Sequence, residues 1–301
     1  MVMLMPHDEH SIKPGLVSGG VGGLRQGSPV RESLVALCLK RTPPAARAFL
    51  AKVMEVALPP QCPGCRVIVE GSDTLCGTCW SQLRMFGPAV CEMCGFPFPV
   101  EQHAPLCGAC VRRKPPFNRA RSAVAYDDAS RHLILAFKHA DRLEAAVLFS
   151  HWMASAAPEL LDDADVLVPV PLDRRRLFER RYNQAGLLAS HLARLTGVPA
   201  RIDGVERIKP SPARGQRISR TERRRNVAGA FRVRSRDAGV FRGKRVLVVD
   251  DVYTTGATAW AMARCLKRAG AVAVDVLTVA RVANKPAGET FVRTGSNSKD
   301  S

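Results

Sequence analysis

The stretch 246-VLVVDDVYTTGAT-258 sets four apolar residues directly before two adjacent carboxylates and a hydroxyl-rich turn. An apolar, β-branched run of that length, bounded by polar turn residues, reads as the central strand of a parallel sheet, Val246 to Val249. Asp250 and Asp251 then stand at its carboxyl end, where open α/β sheets place their ligands. A helix from Ala257 to Ala269 follows at once. Its N–H groups and partial positive charge suit a phosphate at the N-terminal end. Thr254, Thr255 and Thr258 add hydroxyl donors, and Gly256 lets the backbone approach closely. The two carboxylates are acceptors, which suit sugar hydroxyls or a hydrated Mg²⁺. The ligand chemistry called for is a sugar phosphate with a cis-diol. Along the helix, Ala259, Met262, Ala263, Leu266 and Gly270 share one face, while Arg264, Lys267 and Arg268 favour the other and its C-terminal dipole.

Outward from this motif, strands and helices alternate. SAVAY near Ala123 to Tyr126 and DVLVPV near Val166 to Val170 read as strands, with helical stretches between Arg131 and Ala157. A helix from Asn183 to Leu195, β-like pieces near Val205 to Ile208 and Phe231 to Val233, and a last strand from Val272 to Ala280 complete the pattern. Such alternation implies βαβ units and a parallel sheet. A receiver domain also opens on a strand with an acidic pair. It needs a second strand-end aspartate and a lysine well downstream, for which too few residues remain after Asp251.

Eight of the ten cysteines fall in four C-x-x-C pairs: Cys62/Cys65, Cys76/Cys79, Cys91/Cys94 and Cys107/Cys110. One such knuckle brings two thiolates to one tetrahedral Zn²⁺, so four suit two structural Cys₄ sites. Sequential and interleaved pairing are both open. A redox pair would stand alone beside a βαβ unit rather than in a row of four. Cys38 and Cys265 read as unligated. A segment this short needs metal to make a core.

The chain has 301 residues, 46% of them hydrophobic, and a net charge of +18. That balance allows one α/β domain with a smaller companion and favours anionic partners. No apolar run reaches the roughly 18 to 20 residues of a membrane span, and the first residues lack a signal-peptide pattern. With the clustered cysteines, this reads as a cytoplasmic protein. Residues 1–44 are Gly/Ser-rich and read as a disordered extension. A short helix from Ala45 and the cysteine pairs form a unit over 45–112, an α/β domain spans 113–283, and a polar, flexible tail follows from Asn284.

The motif VVDDVYTTGAT resembles the 5-phosphoribosyl-1-pyrophosphate (PRPP) signature of type I phosphoribosyltransferases. The resemblance implies that Asp250 and Asp251 hold ribose hydroxyls and that Thr254, Thr255, Gly256, Ala257 and Thr258 wrap the 5-phosphate, with Mg²⁺ accompanying PRPP. A double zinc ribbon ahead of such a domain is similar to the ComF family of bacterial phosphoribosyltransferase-like proteins, over about Ala45 to Arg281. Two segments carry the likeness further: 168-VPVPLDRRRLFERRYNQA-185 and 223-RRRNVAGAF-231. They imply a pyrophosphate or acceptor loop including Pro171, Leu172, Arg176, Arg180, Asn183, Gln184, Arg224 and Asn226. Arg181 stands where the family often has glycine.

Eight Lys or Arg lie between Arg207 and Arg225, and five arginines between Asp173 and Arg181. Guanidinium groups suit pyrophosphate or nucleic-acid phosphates. Two functions follow from this reading. One is PRPP or ribose-phosphate binding, with pyrophosphate-releasing transfer to a nitrogen acceptor. The other is a single-stranded DNA module acting with DNA-uptake proteins, its PRPP site regulatory or vestigial, with Tyr182, Phe178 and Phe231 as nearby aromatics.

Overall fold

The computed structural model describes residues 59–71, 74–98, 105–138, 143–210 and 220–283. The extension, the helix expected from Ala45, Cys38 and the tail from Asn284 lie outside them.

A four-stranded parallel sheet organises these residues, in the order β1-β6-β5-β2. Its strands are β1 (Ala120–Ala125), β2 (Val166–Pro169), β5 (Arg245–Tyr253) and β6 (Ala273–Arg281). Period-two alternation along the strands feeds two cores. Val166, Val168, Val246, Val248, Val274 and Val276 pack on one face. Leu167, Leu247, Val249, Leu277 and Val279 pack on the other. The first face is covered by α9 (Ala257–Arg268), through Met262, Ala263 and Leu266. The second is covered by α3 (Asp128–Lys138), α4 (Ala145–Ala156), α5 (Pro158–Asp162) and α7 (Gln184–Thr196). Among the described residues, no helix is long and apolar enough to cross a membrane.

The β-like pieces are real, as β3 (Val205–Arg207) and β4 (Phe231–Val233), but they form a separate antiparallel pair outside the main sheet. Two arginine-rich stretches are helical: α6 (Arg174–Arg180) and α8 (Arg220–Val227). Arginine is a good helix former, and charge density had hidden that propensity. Gly270 is exposed, with φ +91°, and lies beyond α9 rather than on its packed face. Buried Cys265 supplements that face instead.

The second and fourth cysteine knuckles each open a short helix, α1 (Gly77–Ser81) and α2 (Gly108–Arg112). The residues after the first and third knuckles share one backbone conformation, Arg66 at φ +67° and Gly95 at φ +68°. Their surroundings differ. Arg66 is exposed. A Cβ on Gly95 would stand 2.4 Å from the Ala120 carbonyl oxygen, so only glycine lets this knuckle reach β1. The Ala120 N–H donates to Met93 O at 2.9 Å, and residues 84–86 exchange hydrogen bonds with Ala123 and Ala125 along the strand's outer edge. At the opposite edge, Leu167 pairs with the segment at Pro199 and Arg201. Both sheet edges are thus covered, which blocks pairing with another chain.

The matched pair of knuckles predicts unequal mutational costs. Gly95→Ala should lower stability by about 2–4 kcal/mol through strain and lost docking, while Arg66→Gly should be within about 1 kcal/mol of neutral or stabilising. Thermal or denaturant unfolding of the two zinc-loaded variants measures the difference.

Candidate functional site

β5 continues past its apolar run, and its last residues remain paired with β6: Asp250 opposite Thr278 and Tyr253 opposite Arg281. The acidic pair therefore sits within the strand, not in the loop after it. A ladder position holds the two carboxylates more firmly than a loop would, and the following turn is left with Thr254, Thr255 and Gly256. Gly256 has φ +74° and directly precedes α9. A Cβ there would stand 2.3 Å from the Tyr253 hydroxyl, so glycine is required both by conformation and by the ring that closes over it. The N–H groups of the first turn of α9 have no intrahelical acceptors and face this turn.

A crevice of about 710 Å³, open to solvent, gathers most of the expected residues. Asp250, Asp251, Thr254 and Thr258 line it together with Pro171, Leu172, Arg176, Arg180, Asn183 and Gln184. Gly256, Thr254 and Thr258 also line a smaller adjoining hollow beside Tyr253. Thr255 is partly exposed in the turn and Ala257 is buried at the start of α9. Arg224 and Asn226 lie on α8, and Asn226 does not line the crevice.

Two charged lining residues were not anticipated, Lys138 and Arg207. Lys138 Nζ stands 3.0 Å from Asp251 Oδ2. In the sequence it looks like an ordinary cation complementing the C-terminal dipole of α3, and no local signal points it at residue 251. The Asp251 N–H donates to Asp250 Oδ1 at 2.9 Å. Burial, and then the neighbouring Asp251, push the Asp250 carboxyl up to about 7, against the pull of that N–H, Lys138 and Arg207. Burial holds Arg207 below its usual range, with Asp173 and Asp250 opposing and Arg176 reinforcing the fall. The pocket thus joins an acidic floor to a cationic rim of Lys138, Arg176, Arg180 and Arg207.

The segment after α6 braces this arrangement. Tyr182 donates its hydroxyl to Phe137 O, and Gln184 Nε2 donates to Lys138 O at 3.1 Å. These bonds satisfy carbonyls at the end of α3 that the helix itself leaves open. Asn183 Nδ2 donates to Val170 O at 3.1 Å, and Gln184 Oε1 accepts from Arg180 Nη1 at 3.1 Å. Asn183 and Gln184 thereby position the neighbouring chain. Between α6 and this brace, Arg181 adopts φ +63°, a left-handed turn that explains why glycine would suit the position.

The eight clustered cysteines form two tetrads in sequential pairing, Cys62/Cys65/Cys76/Cys79 and Cys91/Cys94/Cys107/Cys110, with all sulfurs of a tetrad within 4.8 Å of one another. The Sγ atoms of Cys65 and Cys76 are 3.5 Å apart, and those of Cys94 and Cys107 3.6 Å. Tetrahedral zinc with Zn–S of about 2.3 Å requires sulfurs roughly 3.8 Å apart, so both tetrads fit the ion. Backbone N–H groups supply the second layer: Cys76 N donates to Cys62 Sγ at 3.4 Å, and Cys107 N to Cys91 Sγ at 3.3 Å. Burial raises these two thiols, yet the N–H donors prevail and bring Cys62 to about 6 and Cys91 to about 7. Burial and the crowding of neighbouring sulfurs push Cys79 and Cys110 far up. A divalent cation resolves that conflict by stabilising every thiolate at once. Cys265 belongs to neither tetrad.

The aromatic residues expected near the basic stretches divide differently. Phe178 is exposed, Phe231 is buried, and the Tyr182 hydroxyl is committed to the brace. The Arg207 guanidinium lies 5.4 Å from the Phe231 centroid, and Trp260, on α9, also stands among arginines, with the Arg113 guanidinium 4.7 Å from its centroid.

Comparison with known proteins places these features in context. Residues 53–111 match the family described as a double zinc ribbon domain, and residues 184–297 the phosphoribosyl transferase domain. DNA utilization protein YhgH of Escherichia coli (strain K12) is 31% identical over 232 residues, covering 75% of this chain and 99% of that protein. Competence protein F of Haemophilus influenzae is 30% identical over 213 residues, covering 69% and 90% respectively. Competence protein ComFC of Bacillus subtilis is 30% identical over 222 residues, covering 71% and 87%.

The acidic pair predicts a pH signature. Unfolding returns Asp250 from about 7 to an ordinary value near 3.9, so between those values the folded form holds the extra proton and stability falls as pH rises. Asp250→Asn removes this loss. Its stability relative to the unsubstituted chain should improve by about 1–3 kcal/mol between pH 5 and pH 8, read from urea midpoints at the two pH values.

Proposed function

Since the chain belongs to the ComF family and carries its double zinc ribbon and phosphoribosyltransferase domain, we propose that the crevice at the end of β5 binds PRPP or a related ribose phosphate. The observation that carries this reading is the juxtaposition of Asp250 and Asp251 with the turn at Gly256 and a cationic rim. In this reading Asp250 and Asp251 accept hydrogen bonds from the ribose hydroxyls. Thr254, Thr255, Gly256, Ala257 and Thr258 enclose the 5-phosphate with hydroxyl and backbone N–H donors. Arg176, Arg180 and Arg207 face the pyrophosphate, and Lys138 holds Asp251 in place through its ion pair. The paired carboxylates offer the hard oxygen donors that Mg²⁺ prefers, and that ion supplies charge neutralisation to pyrophosphate oxygens when bound.

The chemistry such a site offers is displacement at C1 of the ribose. The C1–O bond breaks, pyrophosphate departs with the electron pair against the arginine rim, and an acceptor nitrogen bonds to C1 and releases its proton to the water of the open crevice. The family likeness supplies the reaction type, while the residues supply binding and charge stabilisation. Two tetrads of reduced thiols suit a compartment that keeps cysteines reduced, and the cytoplasm is the location of this reading.

Titration calorimetry with PRPP and Mg²⁺ tests the reading. Binding should weaken at least tenfold in Asp250→Asn/Asp251→Asn, with far-ultraviolet dichroism and zinc content retained. It should also strengthen from pH 6 to pH 8, as Asp250 ionises and becomes a better acceptor. Equal affinity in both proteins would overturn the assignment.

A second reading rests on a separate groove of about 750 Å³, open to solvent, lined by Arg113, Trp260, Arg264 and Arg268. Guanidinium groups around an aromatic ring suit the phosphates and bases of single-stranded DNA. The names of the relatives make such a ligand reasonable. Labelled single-stranded DNA should bind at low salt with a log–log slope of about 0.7 per phosphate neutralised. Arg264→Glu/Arg268→Glu should flatten that slope, whereas saturating PRPP should leave it unchanged. Competition by PRPP would instead place both ligands on the crevice.

A further inference from the structure

At the end of β6, directly opposite Tyr253, stands Arg281, 7% exposed. No carboxylate forms an ion pair with it among the described residues. A buried guanidinium without a counter-charge is costly, so its surroundings must supply one. They are the second cysteine tetrad: Nη1 donates to Cys94 O and Nη2 to Cys94 Sγ at 3.7 Å. The same guanidinium lies 4.3 Å from the centroid of the Tyr253 ring and 5.5 Å from that of Phe96. Tyr253, in turn, meets Phe117 edge-on and closes against Gly256. An unbroken set of contacts therefore runs from a zinc ligand, through Arg281 and Tyr253, to the turn that begins α9.

We infer that Arg281 is a positioning residue that couples metal occupancy of the second tetrad to the order of the Thr254–Thr258 turn. A zinc ion held by four thiolates carries two net negative charges. Arg281 offsets part of that charge, and its N–H on the Cys94 sulfur stabilises the thiolate as an outer-layer donor does. The metal centre returns the effect by fixing the guanidinium above Tyr253, which holds Gly256 in place. Burial raises the Tyr253 hydroxyl to about 12, so this ring stays neutral and acts by packing. The first tetrad has no hydrogen bond to Arg281 or Tyr253 among the described residues, so the two ribbons differ in role. Coupling between the sites is reciprocal: whatever orders the turn tightens the second zinc. Its relevance to PRPP rests on the reading of the crevice given above.

The test compares full-length Arg281→Met and Arg281→Lys with the unsubstituted protein, all zinc-loaded, using a chromogenic chelator and amide hydrogen exchange. Arg281→Met should release one of its two zinc ions at least tenfold faster and the other at the original rate. Exchange over residues 253–258 should rise in the same variant, and Arg281→Lys should restore part of both effects. In the unsubstituted protein, withdrawal of the labile zinc should raise exchange over 253–258, whereas Cys76→Ser, in the first tetrad, should not. The coupling is overturned if zinc release in Arg281→Met is unchanged, or if the turn keeps its protection once the second zinc is gone. Neither readout uses the sugar phosphate, so a failure of PRPP to bind in calorimetry counts against the crevice assignment alone.

Discussion

The parallel ladder between β5 and β6 is the constraint on which the other features depend. It is formed inside the sheet, between strands whose side chains feed both cores, and slippage would move each apolar set to the wrong face. Because the pairing continues to Tyr253 and Arg281, the ladder carries more than packing. It fixes Asp250 and Asp251 in depth, sets the point at which the chain may turn toward α9, and lifts Arg281 to the level of the second tetrad. The functional elements are extensions of core hydrogen bonding, not appendages on flexible loops.

The same placement accounts for the electrostatics of the crevice. A partly buried strand end is a poor solvent for two adjacent carboxylates, and the protein compensates from distant parts of the chain. Lys138 comes from the end of α3 and Arg207 from β3, while Tyr182 and Gln184 secure the carbonyls beside Lys138. Such a preorganised site resists collapse when empty and needs little rearrangement to receive a polyanion.

Much of this was legible from local patterns. The strand of Val246 to Val249, the turn at Gly256 and the helix after it announce themselves by period and residue type, and the C-x-x-C spacing announces the tetrads. Residues whose roles depend on tertiary proximity were not legible. Lys138 looks like any helix-terminal lysine, Arg207 is one cation in a run of many, and Arg281 is merely the last residue of an apolar strand. Helices α6 and α8 were obscured by their charge, since their sequences show no broad apolar stripe. Tetrad order became clear only with the folded knuckles. Arg181 is an instructive intermediate: its departure from the family's usual glycine was visible in the sequence, but the left-handed backbone that gives the departure meaning was not.

The strip at residues 84–86 that covers the outer edge of β1 lies between the two cysteine tetrads. Its shape depends on chain segments that organise themselves around metal. In a cell short of zinc, the sheet would form with one border bare, offering a row of main-chain donors and acceptors to any other nascent strand. The metal-held ribbon is thus a guard on that border, and its loss would leave the sheet open to edge-to-edge association.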